Sequence, residues 1–237
     1  MKLFYILSIA LIVQGCTSIP YTPAPLSSLG PSDSVGIIVS IPREYDHFSG
    51  SGWGGNDVKT PSTYDTVSAG GLALSNFIST NSRASAVLDS GKSREYWDAN
   101  LNSTNPYILW QLDPQIANDL STYAKPKEYD YVAVVEGERV PNKIKQGFIG
   151  NVEPFYGIGI YIEEAVTEYV YASLRVNVLD VDSGGVVYSS ACFSYFNISE
   201  ELPSLSAEVE LTQDEQRVVE RYIPALLKSC FEQMPTG

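Results

Sequence analysis

The stretch VYASLRVNVLDVDSGGVVYSSACFSYF, residues 170–196, predicts a β-hairpin around which the fold is organised. Apolar residues alternate with mostly polar ones from Val170 to Val178, which is the period of a strand with one buried face. Asp182-Ser183-Gly184-Gly185 supplies residues that are typical of a tight turn. One face of the hairpin is therefore apolar, and the other is wet or in contact with another element.

The rest of the chain predicts four further strands, three helices and one long loop. The expected strands are Ser34–Ile41, Ala84–Leu88, Tyr129–Val135 and Gly157–Ile162. The expected helices begin at Asp65 or Thr66 and end near Thr80, run from Pro114 to Tyr123, and run from Glu208 to Phe231 with a kink or break at Pro224. The glycine-rich stretch Arg43–Thr63 predicts a loop, because so many glycines do not support a regular element.

The amino terminus has the layout of a bacterial lipoprotein signal. A basic start with Lys2 precedes an apolar run from Leu3 to Val13, which at about eleven residues is too short to span a membrane but suits a secretory signal. Val13-Gln14-Gly15 followed by Cys16 resembles the lipobox, in which the cysteine is lipidated. Residues 1–15 are therefore expected to be cleaved, and acyl chains such as palmitate to anchor Cys16. The alternative is an ordinary signal peptide with an incidental cysteine.

The segment after Cys16 predicts a tether that leads to one globular domain. Residues 17–33 contain four prolines among Ser, Thr and Gly and show no apolar period. Residues 16–33 are thus interpreted as the lipidated cysteine with its tether, and residues 34–237 as a single domain large enough to bury its own core.

The charge of the chain argues against nucleic acid as a partner. The sequence holds 15 Lys and Arg against 28 Asp and Glu, a formal net charge of −13. Phosphate-rich surfaces attract proteins of the opposite sign. The membrane contact is therefore expected through the lipid anchor and not through a basic surface.

Two cysteines remain once Cys16 is assigned to the lipid. Cys192 and Cys230 are expected to form a disulfide, because exported proteins fold in an oxidising compartment. The bond would join the carboxyl-terminal helix to the hairpin. The alternative is two buried free thiols.

Catalytic and metal-binding patterns are weak in this sequence. The only histidine, His47, has no recognisable nucleophile beside it, and no ligand set for a metal or cofactor is evident. Glu136 and Glu138 share a face just after a strand and form the one candidate pair for glycan hydrolysis. We therefore expect a protein that is not an enzyme and carries no cofactor. The candidate partner-binding residues are Trp53 in the glycine-rich loop and Tyr169 and Tyr171 on the hairpin.

Several segments resemble a group of envelope lipoproteins. The helix of residues 114–123 leading into YDYVAVVEG, residues 129–137, is similar to their pattern of a helix, Asp-Tyr and an apolar run ending in Gly. Residues 172–190 resemble their strand, Asp, glycine turn and strand. The group includes the curli-secretion channel lipoprotein, the Pel-polysaccharide export lipoprotein, the outer-membrane activators of peptidoglycan synthases and the amino-terminal domain of TolB. The resemblance implies an α/β (α+β) sandwich, with helices packed on a mixed, mostly antiparallel sheet.

The resemblance also implies a function. Members of the group bind other envelope proteins or form rings, so we expect an accessory or assembly factor in secretion, export or cell-wall synthesis. A homo-oligomeric ring and a glycan hydrolase using Glu136 and Glu138 are the alternatives. Thr17, and not Asp, follows the lipidated cysteine, which favours the periplasmic face of the outer membrane.

Overall fold

A computed structural model describes residues 26, 29–49, 58–79, 83–87, 114–138, 156–163, 167–206 and 209–235. Cys16, most of the predicted tether and Trp53 lie outside these residues. The fold is of the mixed α/β class that the sequence predicts, with an open sheet and helices packed on it.

Eight strands form one sheet. Their bounds are β1 Ser34–Ser40, β2 Glu44–Ser49, β3 Lys59–Pro61, β4 Arg83–Val87, β5 Tyr131–Gly137, β6 Gly157–Glu163, β7 Thr167–Asp180 and β8 Val186–Asn197. The pairs β1·β4, β1·β5 and β2·β6 are parallel, whereas β2·β3, β5·β7, β6·β7 and β7·β8 are antiparallel. The predicted hairpin is therefore present as β7 and β8, and the sheet is mixed.

Strands β5 and β6 lie end to end along the same edge of β7. Gly137, the last residue of β5, pairs with Leu174, and Gly157, the first residue of β6, pairs with Ser173. Strand β6 thus begins on β7 at the position next to the one where β5 ends. β8 pairs with the opposite edge of β7 over most of its length and spans this junction.

Within the described residues, three α-helices accompany the sheet: α1 Thr66–Ile78, α2 Pro114–Ala124 and α3 Gln213–Glu232. Asp65 caps α1 by accepting a hydrogen bond from the Ser68 amide at 3.0 Å. Thr212 and Glu215 form a capping box at the start of α3. The predicted break at Pro224 is wrong, since α3 runs as one helix through this residue; packing of the surrounding turns against the sheet offsets the lost backbone hydrogen bond.

The predicted loop Arg43–Thr63 is also wrong in part, because it contains β2 and β3. Strand β2 alternates in the expected way, with Tyr45 and His47 both 1% exposed. The glycines that suggested a loop are concentrated in residues 50–55, between the two strands. A local glycine count therefore hid two strands, which pair with each other, while β2 also pairs with the distant strand β6.

The core begins before the predicted domain boundary. Leu26 and Leu29, which the sequence places in the tether, are 0% and 5% exposed and belong to the main hydrophobic cluster. Two isolated leucines among prolines have no periodicity, so sequence pattern does not distinguish them from a linker.

The two sheet faces have different coverings. On the first face, α1 and α3 pack over the largest cluster, which includes Val39, Val135, Val176, Ile223 and Phe231. On the second face, α2 contributes Leu120 and Ala124 to a smaller cluster at one end. Aromatic side chains occupy the other end of that face.

Candidate functional site

An open apolar groove lies between α1 and α3, on the side of these helices away from the sheet. It has a volume of about 730 Å³. Its lining includes Ala69, Leu72, Ala73 and Phe77 of α1, Pro224, Lys228, Phe231 and Glu232 of α3, and Tyr64 and Asp65 just before α1. We call it the α1–α3 groove.

The two helices run in the same direction along the groove. Thr63, just before α1, donates a hydrogen bond to Glu220 in α3 at 3.5 Å. At the other end, the rings of Phe77 and Phe231 lie 6.2 Å apart between centroids. Both helices therefore end at the same end of the groove, where their carbonyl groups concentrate partial negative charge.

Helix α1 is unusual for a surface helix because none of its residues is charged. Ser68, Leu72 and Asn76 follow one another at intervals of four and are exposed to solvent. Leu72 is 65% exposed and stands at the rim of the groove. An exposed leucine side chain is not stabilised by the surrounding water. This side of α1 is therefore suited to contact with another molecule.

A glycine seats α1 closely against β1. A β-carbon on Gly70 would lie 3.0 Å from Ile41 Cδ1 and 3.2 Å from Val39 Cγ1. The absence of a side chain thus brings the helix backbone near the sheet. Leu74 and Ile78 point into the core and are fully buried, which leaves the opposite side of the helix to form the groove wall.

Helix α3 is held to the hairpin by a covalent bond. Cys192 on β8 and Cys230 in α3 form a disulfide with their Cα atoms 5.2 Å apart. The ring of Phe196 also packs on Tyr222, 5.9 Å away between centroids. The second wall of the groove is therefore fixed to the sheet at the middle of the helix and near its carboxyl end.

Carboxylates occupy both ends of the groove. Asp65 lies at one end, where hydrogen bonds from the side chain and amide of Ser68 lower the pKa of its carboxyl. Glu232 lies at the other end with Lys228, whose ammonium is 3.8 Å from its carboxylate. Neither α1 nor α3 has a basic residue in its last turn, so side chains do not offset the negative ends of the helices.

The tyrosine-rich face predicted as a binding surface is largely internal. Tyr171 is fully buried and stacks with Phe193 at 6.2 Å between centroids. Tyr169 is half-buried and meets Tyr195 edge to face at 5.6 Å. Only Tyr195 in this cluster is substantially exposed, at 45%. Tyr171 therefore lies inside the domain, whereas Tyr169 keeps part of its surface exposed.

The candidate pair Glu136 and Glu138 belongs to a polar network on the second face of the sheet. Asn177 Nδ2 donates to Glu136 Oε1 at 2.8 Å, and Arg175 forms an ion pair with Glu138. Ser189 joins the network by accepting from Arg175 Nη1 at 3.0 Å and donating to Asn177 Oδ1 at 2.7 Å. Each carboxylate thus has a neighbouring protein side chain that orients it and that satisfies part of its hydrogen-bonding capacity.

His47 is a structural residue between three elements. It is 1% exposed and its Nε2 lies 2.8 Å from the hydroxyl of Thr60, which accepts from the Leu211 amide at 2.9 Å. The imidazole and the hydroxyl share one hydrogen bond, and the imidazole tautomer determines which of the two donates. Burial lowers the pKa of His47, against the opposing effects of the Ser206 backbone and Glu210.

Two features, a metal-ligand cluster and a membrane-spanning helix, are absent from the described residues. No group of three or more His, Cys, Asp or Glu side chains in these residues is placed to hold a metal ion. None of the helices among them combines the length and apolarity needed to cross a membrane. Trp53 and Cys16, predicted for partner binding and lipidation, fall outside this part of the chain.

Comparisons with known proteins give distant structural matches alone. No protein-family model matches the chain, and a comparison with curated proteins finds no significant match. A PelC dodecamer from Paraburkholderia phytofirmans matches at 13% identity over 89% of this chain and 92% of that chain, with a TM-score of 0.33. A protein from Xanthomonas campestris matches at 7% identity over 90% of this chain and 87% of that chain, with a TM-score of 0.35. A lipoprotein from Neisseria meningitidis matches at 7% identity over 82% of this chain and 96% of that chain, with a TM-score of 0.30. Similarity at this level does not define the family or the function of the chain.

Sequence reasoning missed the α1–α3 groove. Its walls are 130 or more positions apart in the chain, and nothing local shows that they lie side by side. One signal was available: the segment Thr66–Ile78 predicts a helix and contains no charged residue, whereas 18% of the whole chain is charged. The uncharged outer side of this helix is the one feature of the groove that the sequence shows directly.

Proposed function

We propose that this protein is a lipid-anchored accessory or assembly factor of a bacterial envelope machine, and that it works by binding another protein at the α1–α3 groove. The observation that carries the proposal is the groove itself, which is open and mainly apolar and has Leu72 65% exposed at its rim. Exposed apolar grooves of this kind are typical of interaction sites. The protein acts without catalysis in this proposal.

The amino-terminal sequence supports the cellular setting of the proposal. A lipobox-like Cys16 and a proline-rich tether would hold the domain at the periplasmic face of the outer membrane. An extended tether of residues 17–25 could keep the domain up to about 30 Å from the lipid, at roughly 3.1 Å per residue. The partner is then a protein that is exposed within this distance of the membrane.

Photo-crosslinking in intact cells tests the proposal. A photoreactive amino acid at Leu72 should give a specific crosslink to an envelope protein, which mass spectrometry identifies. The matched control is Val209, which is 62% exposed and lies outside the groove. If both positions give the same products, or if neither does, the groove is not the docking surface.

A further inference from the structure

We infer that the element bound in the α1–α3 groove is an amphipathic helix of a partner protein, with an apolar stripe and basic residues beside it. This inference rests on the proposed function and adds the chemistry of the partner. It is argued from the shape of the groove, from the absence of charge in α1 and from the charges at the two ends.

The shape of the groove fits the apolar stripe of a helix. Its wall in α1 extends over about 20 Å, since the helix has 13 residues with a rise of about 1.5 Å each. Ala69 and Ala73 are small and line the groove, whereas Leu72 projects at its rim. Small residues beside large ones form the recesses into which side chains of a neighbouring helix pack. An apolar helix face about three to four turns long matches this wall.

The charges favour a basic partner over an acidic one. Asp65 at one end and Glu232 at the other place a carboxylate near each terminus of a bound helix. The carboxyl termini of α1 and α3 add partial negative charge at the Glu232 end. Lys228 is the one cation among the lining residues, and it already faces Glu232 at 3.8 Å. With a chain charge of −13, a basic helix is attracted and an acidic one is repelled.

Peptide binding to the exported chain with Cys16→Ser tests the inference without detergent. The probe is a fluorescent helical peptide of about four turns with leucine on one face and lysine on the other. The same peptide with glutamate in place of lysine and a shuffled leucine–lysine peptide are the controls. Fluorescence anisotropy should show saturable binding of the leucine–lysine helix only, weakened when salt is added.

A charge-matched pair of variants separates docking from general attraction. Leu72→Glu and Val209→Glu each add one negative charge at a similarly exposed apolar residue. General attraction of the basic peptide would become stronger in both. Docking in the groove should instead make Leu72→Glu bind at least about tenfold more weakly, which corresponds to about 1.4 kcal/mol, while Val209→Glu changes little.

Several results would overturn the inference. The first leaves the proposed function intact, whereas the other two assign the groove to something other than an envelope partner. Equal binding by the leucine–glutamate peptide, or unchanged affinity in Leu72→Glu, would show that the partner is not a basic helix. If the groove binds a fluorescent fatty acid but not the peptide, its ligand is an acyl chain. Self-association that Leu72→Glu abolishes, without peptide binding, assigns the groove to a second copy. The crosslinking at Leu72 is independent of all three.

Discussion

The ring of Tyr171 on β7 lies over Gly159 on the neighbouring strand β6, and the two residues are paired in the sheet. A β-carbon on Gly159 would collide with the tyrosine hydroxyl and would lie 2.5 Å from the carbonyl oxygen of Asp46 on β2. The glycine is therefore required by the aromatic side chain beside it. This relationship explains why Tyr171 is fully buried although it lies on the face predicted to bind a partner.

Replacing Gly159 with alanine should destabilise the domain. The new methyl group forces either the buried ring or the β2 backbone to move, and overpacking of this kind costs about 1 to 3 kcal/mol. Urea denaturation followed by circular dichroism measures the change. Gly30→Ala is the control, because its β-carbon would lie 3.5 Å from the nearest atom, on the Asp33 carboxylate, in ordinary contact. Equal stability of the two variants would show that Tyr171 can move aside.

The disulfide between Cys192 and Cys230 should contribute substantially to stability. It closes a loop with a sequence separation of 38 and ties α3 to β8. Replacing both cysteines with alanine should lower the free energy of unfolding by about 2 to 4 kcal/mol while leaving the native circular dichroism spectrum unchanged. Urea denaturation of the oxidised chain and the double variant checks this. Mass spectrometry that finds two intact thiols in the native chain would contradict the basis of the prediction.

His47 should make the stability depend on pH. Burial lowers the pKa of its imidazole in the folded state, so the unfolded chain, with a pKa near 6.5, binds the proton first as the pH falls. Stability is then fully present above about pH 6.5 and is lost as the pH falls toward the lowered pKa. Thermal unfolding between about pH 7.5 and 5.5 should show a larger fall in Tm for the native chain than for His47→Gln.

The glutamine variant is a suitable comparison because its amide oxygen can still accept a hydrogen bond from Thr60, but it does not titrate. Parallel Tm curves for the two chains would mean that the imidazole titrates alike in the folded and unfolded states.

Substituting serine for Cys16 should release the protein from the membrane without changing the fold. The serine cannot carry the thioether-linked lipid, and Cys16 lies before Leu26, the first residue in the described part of the chain that belongs to the core. Cell fractionation should move the chain to the soluble periplasmic fraction, with loss of its envelope function and an unchanged Tm. Retention of the variant in the outer-membrane fraction, or full function of the soluble form, would contradict the role of the anchor.

The sequence predicts the hairpin well because a strand with one buried face repeats every two residues, as Val170 to Val178 do. Helix α2 is predicted from Pro114, which suits the first turn of a helix. Strand β2 is missed because the glycines that follow it dominate the local pattern. Its identity depends on parallel pairing with β6, and Asp46 and Gly159, which pair there, are far apart in the chain.

The candidate site is even harder to predict from sequence than strand β2. Tyr169 and Tyr171 are chosen from sequence because tyrosines are common at interfaces, but the sequence does not show that Phe193 covers Tyr171. The α1–α3 groove arises from two helices that meet only after the sheet has formed. The uncharged composition of α1 is the one part of this site that can be recognised before folding is considered.

The meeting of β5 and β6 on β7 has a practical consequence for engineering. Gly137 and Gly157 pair with adjacent residues, so residues 138–156 form an insertion into what would otherwise be one continuous strand. Because the ends of β5 and β6 lie together on β7, sequence added between them does not have to bridge a gap in the sheet. An epitope tag or a small reporter domain placed within residues 139–155 leaves the strand register untouched.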